Sequence, residues 1–115
     1  MGRDIYVQDL PDNIRNLSEI PDDFVPRPIA SRSTVIEAIR KAFPSADLTD
    51  PSWVKLVEPS IFYIEANLGS VESLDSFVFH VNGGKEADQL ISRILLSLGL
   101  RAVDTFSDTG LFQFV

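Results

Sequence analysis

The fold is decided by residues 53–99, which read WVKLVEPSIFYIEANLGSVESLDSFVFHVNGGKEADQLISRILLSLG. Within residues 61–68, apolar side chains occupy every second position, which predicts a strand with one buried face and one wetter face. The same alternation recurs over residues 76–82, and residues 53–57 predict another strand before a turn at 58–60. Because the connections are short, we expect an antiparallel meander of three strands.

The period changes after Gly83 and Gly84, two residues that suit the reversal of direction needed between a strand and a helix. Helical spacing of apolar residues predicts a helix over 85–98, which Gly99 ends in a left-handed conformation and Leu100 closes by an apolar contact. The stripe consists of Ala87, Leu90, Ile91, Ile94, Leu95 and Leu98. We expect this stripe to cover the strand face that carries Phe62, Ile64, Phe77 and Phe79.

Two segments before the meander also show a clear pattern. Alternation over residues 4–10 predicts a strand with Tyr6 on its outer face. Residues 31–43 predict a helix whose first turn Ser31 or Ser33 caps, and Pro44 ends it.

After the second helix, residues 100–106 and 111–115 predict two more short strands. The element order is therefore β-α-β-β-β-α-β-β. It predicts one α+β domain over residues 1–115, a two-layer sandwich with a mainly antiparallel sheet of five to six strands and both helices on one face.

The segment 11–30 shows no helix or strand period. It is rich in proline and acidic residues, yet it carries too many apolar side chains for a simple disordered linker. We expect these side chains to pack over one end of the core, with a helical turn near residues 12–17. The alternative is a binding or lid segment, because long loops in compact domains commonly have a function.

The net charge of the protein favours some classes of binding partner over others. The chain carries 17 acidic and 10 basic residues, a net charge of −7. This balance disfavours nucleic acid, whose phosphates an acidic surface repels, and it favours a basic protein partner. The simpler alternative is that the negative charge only keeps the protein soluble.

Composition excludes several other classes of protein. The absence of cysteine excludes disulfides, thiolate metal sites and thiol nucleophiles, and it suits the cytoplasm, where we expect the protein. No apolar run approaches the roughly 20 residues that span a bilayer, so no membrane association is expected. A single histidine and scattered loop acids predict neither a metal site nor a cofactor.

His80 is the one candidate for acid–base chemistry in the sequence. Two registers of the predicted hairpin are open: His80 lies opposite either Glu65 or Tyr63, on the sheet face turned away from the helices. A Glu–His pair can act as a general base, but the sequence shows no accompanying nucleophile. A cross-strand pair on a solvated face is therefore the favoured interpretation.

The open sheet face and the acidic loop supply the candidate binding residues. The face is wet, covered by segment 11–30, or used by a partner, and aromatic and amide side chains suit an interface. The face is expected to carry Tyr63, Glu65, Asn67, Val78, His80 and Asn82, with Trp53, Val57 and Ile61 nearby. The candidate binding residues are Tyr63, Glu65, Asn67, His80 and Asn82 on the face, Trp53 beside it, and Asp22, Asp23 and Phe24 in the loop.

Three short segments, DIYVQ at 4–8, IPDDFVPRPI at 20–29 and DPSW at 50–53, resemble small acidic bacterial proteins without an assigned function. The resemblance implies one compact bacterial domain and transfers no catalytic or binding residues. The sequence therefore favours a non-enzymatic domain, immunity-like, antitoxin-like or chaperone-like, that binds a partner protein. The alternative is a small-ligand binder or modest hydrolase that uses His80 with Glu65 and Tyr63.

Overall fold

A computed structural model describes residues 2–115 and shows an α+β protein built on an antiparallel sheet. Seven strands and two helices follow one another along the chain. They are β1 (Gly2–Gln8), β2 (Ala30–Ser31), α1 (Arg32–Ala42), β3 (Trp53–Glu58), β4 (Phe62–Asn67), β5 (Ser73–Leu74), β6 (Ser76–Gly83), α2 (Lys85–Leu98) and β7 (Ala102–Asp104).

The main sheet has five strands in the order β3-β4-β6-β1-β7, and all neighbouring strands are antiparallel. The predicted meander is confirmed as β3-β4-β6. The first strand extends it, because β1 pairs with β6 on one side and with β7 on the other. Strand β1, from the start of the chain, therefore lies inside the sheet.

Helix α2 begins and ends where the periodicity predicts. Gly99 has a φ of 67°, and the N–H of Leu100 donates to the carbonyl of Leu95 at 3.0 Å, so the chain closes the helix as a Schellman motif does. The apolar stripe of α2 is buried except for Leu98, which is partly buried, whereas its solvent side carries charged residues.

Helix α1 is capped by Ser31, whose hydroxyl accepts a hydrogen bond from the N–H of Thr34 at 3.1 Å. Glu72 supports the same helix end, since its carboxylate accepts from the N–H of Ser33 at 3.1 Å and from the Ser33 hydroxyl at 2.5 Å. These bonds attach α1 to the connection between β4 and β6.

Both helices cover one face of the sheet, and the core lies between the two layers. Phe79 at its centre is fully buried and contacts Phe77 edge to face at 5.3 Å between ring centroids. The other buried sheet residues are Ile5, Val7, Val54, Leu56, Ile64, Ala66 and Val81, and the buried helix residues include Val35, Ile39, Leu90, Ile91, Ile94 and Leu95.

Buried charge joins α2 to the sheet at one edge of this core. Arg3 on β1 forms ion pairs with Asp88 of α2 and, at 3.0 Å, with Asp104 of β7. Asp104 is only 4% exposed, and it also accepts from the N–H of Phe106. Both carboxylate oxygens of Asp104 therefore have a partner, which offsets the cost of burying the charge.

Two parts of the predicted element order need correction. The strand expected over 100–106 is shortened to Ala102–Asp104, and 111–115 forms no strand. Leu111 makes a single bridge to Val103, and Phe112 then turns into the core, which ends regular pairing. The connection between β4 and β6 also contains a strand absent from the predicted order, β5, which pairs with β2 in a separate two-stranded sheet.

Residues 11–20 pack against the protein rather than forming an open loop. Leu10 and Ile14 form a second apolar cluster with Val103 and Leu111, and the guanidinium of Arg101 donates to the backbone carbonyls of Pro11 and Ile14. The helical turn expected near 12–17 lies slightly later, as a 3-10 turn at Leu17–Glu19. None of the helices described here has the length and apolar composition needed to cross a membrane.

Candidate interaction face

The face of the sheet turned away from the helices is formed by four strands whose alternate residues point outward. The register places Lys55, Glu65, His80 and Asp4 in one row across β3, β4, β6 and β1. A neighbouring row consists of Trp53, Asn67, Val78 and Tyr6, and a third contains Val57, Tyr63 and Asn82. We call these residues the open face.

Trp53 and His80 form an aromatic platform at the centre of the open face. Their rings stack with centroids 5.5 Å apart and planes inclined by 27°. The indole Nε1–H of Trp53 donates to the carboxylate of Glu65. Trp53 is therefore held by an aromatic neighbour and by a hydrogen bond, so the platform is ordered before any partner binds.

His80 makes its side-chain hydrogen bond to Asp4. The distance from His80 Nδ1 to Asp4 Oδ1 is 2.6 Å, and Asp4 also accepts from the hydroxyl of Tyr6 at 3.3 Å. Because an ionised carboxylate only accepts, Nδ1 carries the proton and Nε2 is left for another partner. Of the two registers considered from the sequence, the structure has His80 opposite Glu65, but Glu65 bonds to Trp53 instead.

The carboxylates of Asp4 and Glu65 accept hydrogen bonds from aromatic side chains, the imidazole of His80 and the indole of Trp53. Within residues 2–115, neither lies within 4 Å of a lysine or arginine nitrogen, although Lys55 is opposite Glu65 in the register. The side chains of Asp4 and His80 are 42% and 37% exposed. The open face therefore presents two carboxylates that no described lysine or arginine pairs with, beside an aromatic platform.

The hydrolase alternative requires a nucleophile close to His80. Among the described residues, no serine or threonine hydroxyl is hydrogen bonded to this imidazole. Tyr63 lies on the same face and is 37% exposed, yet it makes no hydrogen bond to His80 or Glu65. The arrangement is an Asp–His pair that can move a proton, and within residues 2–115 no side-chain hydroxyl is hydrogen bonded to its imidazole.

Loop residues pair with part of each edge strand of the main sheet. On β3, Lys55 exchanges backbone hydrogen bonds with Asp47. On β7, the N–H of Phe112 donates to the carbonyl of Ala102, and the N–H of Asp104 donates to that of Gly110. Addition of another strand at these paired positions is thereby obstructed.

Loop acids beside β3 stay ionised to lower pH than usual. Hydrogen bonds from Thr49 lower the pKa of Asp47, and hydrogen bonds from Ser52 lower the pKa of Asp50. No group of histidine and acidic side chains within residues 2–115 is arranged to hold a metal ion. These acids add to the negative charge at the β3 end of the sheet.

The structure brings together Tyr63, Glu65, Asn67, His80 and Asn82, which the sequence places on one face, and it adds Trp53, which the sequence placed only nearby, to the same face. Asp22 and Asp23 are exposed at a turn in which the N–H of Phe24 donates to the carbonyl of Pro21. Within residues 2–115, no hydrogen bond or ion pair joins this turn to the open face. The role of the turn in binding stays a prediction.

Ile61 differs from its expected position. Strand β4 begins one residue later, at Phe62, after a tight turn in which Ser60 has a φ of 67°. Ile61 is half exposed and lines a groove of about 600 Å³ with Phe43, Phe62 and Arg93, at the helix side of the sheet. It therefore belongs to a different surface from Val57.

Asp4 and Tyr6 belong to the open face but were not among the residues predicted for it. Alternation in 4–10 already puts Tyr6 outward, and Asp4 is two residues away on the same side. The pattern does not show that β1 pairs with β6, which brings Asp4 next to His80, 76 positions further along the chain. That neighbour relation could not be read from local periodicity.

Comparison with known proteins adds no relative to this description. No protein-family model, no curated protein and no solved structure matches the chain. The resemblance to small acidic bacterial proteins therefore stays a prediction.

Proposed function

We propose that the chain is a single, non-enzymatic interaction domain that binds a basic partner protein through the open face. The observation that carries the proposal is the Trp53–His80 platform with Glu65 and Asp4 beside it, uncovered by either helix. Aromatic side chains anchor protein interfaces because they bury large areas at low entropic cost.

Charge supports a basic partner. A net charge of −7 attracts a basic protein from a distance, and the carboxylates of Asp4 and Glu65 offer acceptors at the point of contact. The exposed acids of the 21–24 turn, Asp22 and Asp23, add to the negative charge of the protein.

The proposed biological role is that of an immunity, antitoxin or chaperone protein acting in the cytoplasm. Proteins with these roles cover a functional surface of another protein, which requires a preformed binding face and no chemistry of their own. A five-stranded sheet whose edges are partly paired with loop residues, and whose open face neither helix covers, suits that task.

Affinity capture with matched variants tests the proposal. The immobilised protein is exposed to a lysate of its source organism, and Tyr63→Ala and Glu65→Gln are compared with Glu37→Gln, which makes the same charge change on exposed helix α1. We expect both face variants to reduce recovery of a basic protein about tenfold, since interface aromatics and their charged neighbours dominate binding energy.

Salt and loop variants complete the test. Recovery should fall as salt rises, because the long-range attraction is screened. Charge reversal at Asp22 and Asp23 is expected to weaken capture without unfolding the protein. Equal recovery by the Tyr63, Glu65 and Glu37 variants, or recovery that salt does not change, would overturn the proposed function.

A further inference from the structure

The open face carries two carboxylates on either side of the His80 imidazole. Glu65 on β4 and Asp4 on β1 are both opposite His80 in the register, so two strand spacings, about 10 Å, separate their backbones. Each carboxylate accepts a hydrogen bond from an aromatic side chain, the indole of Trp53 or the imidazole of His80. Those bonds orient the two carboxylates.

Each carboxylate has acceptor capacity left over. Glu65 uses one oxygen for the indole N–H, whereas an ionised carboxylate offers about four acceptor positions. Asp4 uses one oxygen for His80 and the other for a long bond from Tyr6. A cationic donor can therefore bind here without displacing the hydrogen bonds that hold the face together.

The aromatic platform distinguishes between the two kinds of basic side chain. A guanidinium is planar, stacks on aromatic rings and donates to a carboxylate through two parallel N–H groups. An ammonium is a compact, strongly hydrated charge with no plane to stack. A flat indole held beside an oriented carboxylate matches the guanidinium in both respects.

We infer that the segment bound by the open face presents an arginine, whose guanidinium stacks on Trp53 and donates to Glu65, with Asp4 attracting a neighbouring basic residue. The inference rests on the proposed function and specifies the chemistry of its partner. Lys55, the one lysine in the same rows, makes no ion pair with Glu65, so it leaves that carboxylate available.

The experiment compares two peptides of equal charge by NMR titration of the isotope-labelled protein. One is a short glycine–serine peptide with several arginines, and the other has lysines at the same positions. At about pH 8, where an ordinary imidazole is neutral, we expect the arginine peptide to shift the Trp53 indole signal and to bind about tenfold more tightly, or about 1.4 kcal/mol.

A substitution then assigns the preference to the platform. Trp53→Leu should reduce the ratio of the two affinities to about one, whereas Phe106→Leu, which changes an exposed aromatic side chain in the turn after β7, should leave the ratio unchanged. The amide spectrum of each variant shows whether the sheet is retained.

The outcomes separate this inference from the proposed function. If both peptides bind the open face equally, or if lysine binds better, the arginine inference fails while binding of a basic partner stands. If neither peptide shifts any open-face signal, both fail. If Trp53→Leu keeps the tenfold preference in a folded protein, stacking on Trp53 is refuted.

Discussion

Replacing Gly83 by alanine is predicted to destabilise the junction between β6 and α2. Gly83 has a φ of +155°, a conformation that residues with a side chain rarely adopt. A Cβ at this position would lie 2.7 Å from the Cβ of Phe62 on β4 and 3.1 Å from the Cβ of Ala87 on α2. Strand β4 and helix α2 can therefore lie close together at Gly83, because glycine has no side chain there.

The magnitude follows from two costs. An unfavourable backbone conformation costs about 1–3 kcal/mol, and forcing an extra methyl group into a packed site costs about 1–3 kcal/mol. We therefore expect Gly83→Ala to lower the free energy of unfolding by about 3 kcal/mol. Gly99→Ala is the matched control, because Gly99 has a φ of +67° and no other atom lies within 4 Å of the point that a Cβ would occupy there. Only the backbone cost, about 1 kcal/mol, applies at Gly99.

Urea unfolding followed by Trp53 fluorescence and by circular dichroism measures both variants. The difference between them, about 2 kcal/mol, combines the close packing at Gly83 with the more restricted backbone conformation there. A Gly83→Ala protein no less stable than Gly99→Ala would refute the packing described at this junction.

Two further predictions concern the core and the first helix. Phe79→Ala should lower the free energy of unfolding by about 3–5 kcal/mol, because Phe79 is fully buried. Phe106→Ala, at a side chain that is 65% exposed, should change it by less than about 0.5 kcal/mol. Similar losses for the two variants in urea unfolding would contradict the core assignment. Hydrogen bonds from Ser33 hold the pKa of Glu72 below its ordinary value of 4.5, so the stabilisation by ionised Glu72 is complete above pH 4.5 and is lost as pH falls through the lowered folded value. The melting temperature of Glu72→Gln should therefore be lower than that of the parent protein at neutral pH, and the difference between the two melting temperatures should shrink in acid. A difference that does not change with pH would argue against this contact.

Local patterns were sufficient to predict the elements that carry a regular period. Helix α2 was predicted over the residues it occupies, because its stripe, its opening glycines and the Gly99–Leu100 ending all agree. The two faces of β4 and β6 followed from alternation, and with them the side of the sheet on which His80 lies.

Long-range pairing explains what local patterns missed. Asp4 became the partner of His80 because β1 lies between β6 and β7, a strand order that no nearby residue specifies. The bond from Trp53 to Glu65 likewise depends on side-chain packing across β3 and β4, where the register alone suggested a Glu65–His80 pair. At the end of the chain, burial of Phe112 outweighed the strand-like alternation of residues 111–115.

The central claim, that the partner binds the open face, is tested most directly by site-specific photo-crosslinking. A photoreactive residue replaces Val78, half buried in the middle of the open face, or Glu37, exposed on helix α1. We predict a crosslinked adduct with a basic protein from position 78 and none from position 37. An adduct from position 37 alone would place the partner on the helical layer and contradict the account.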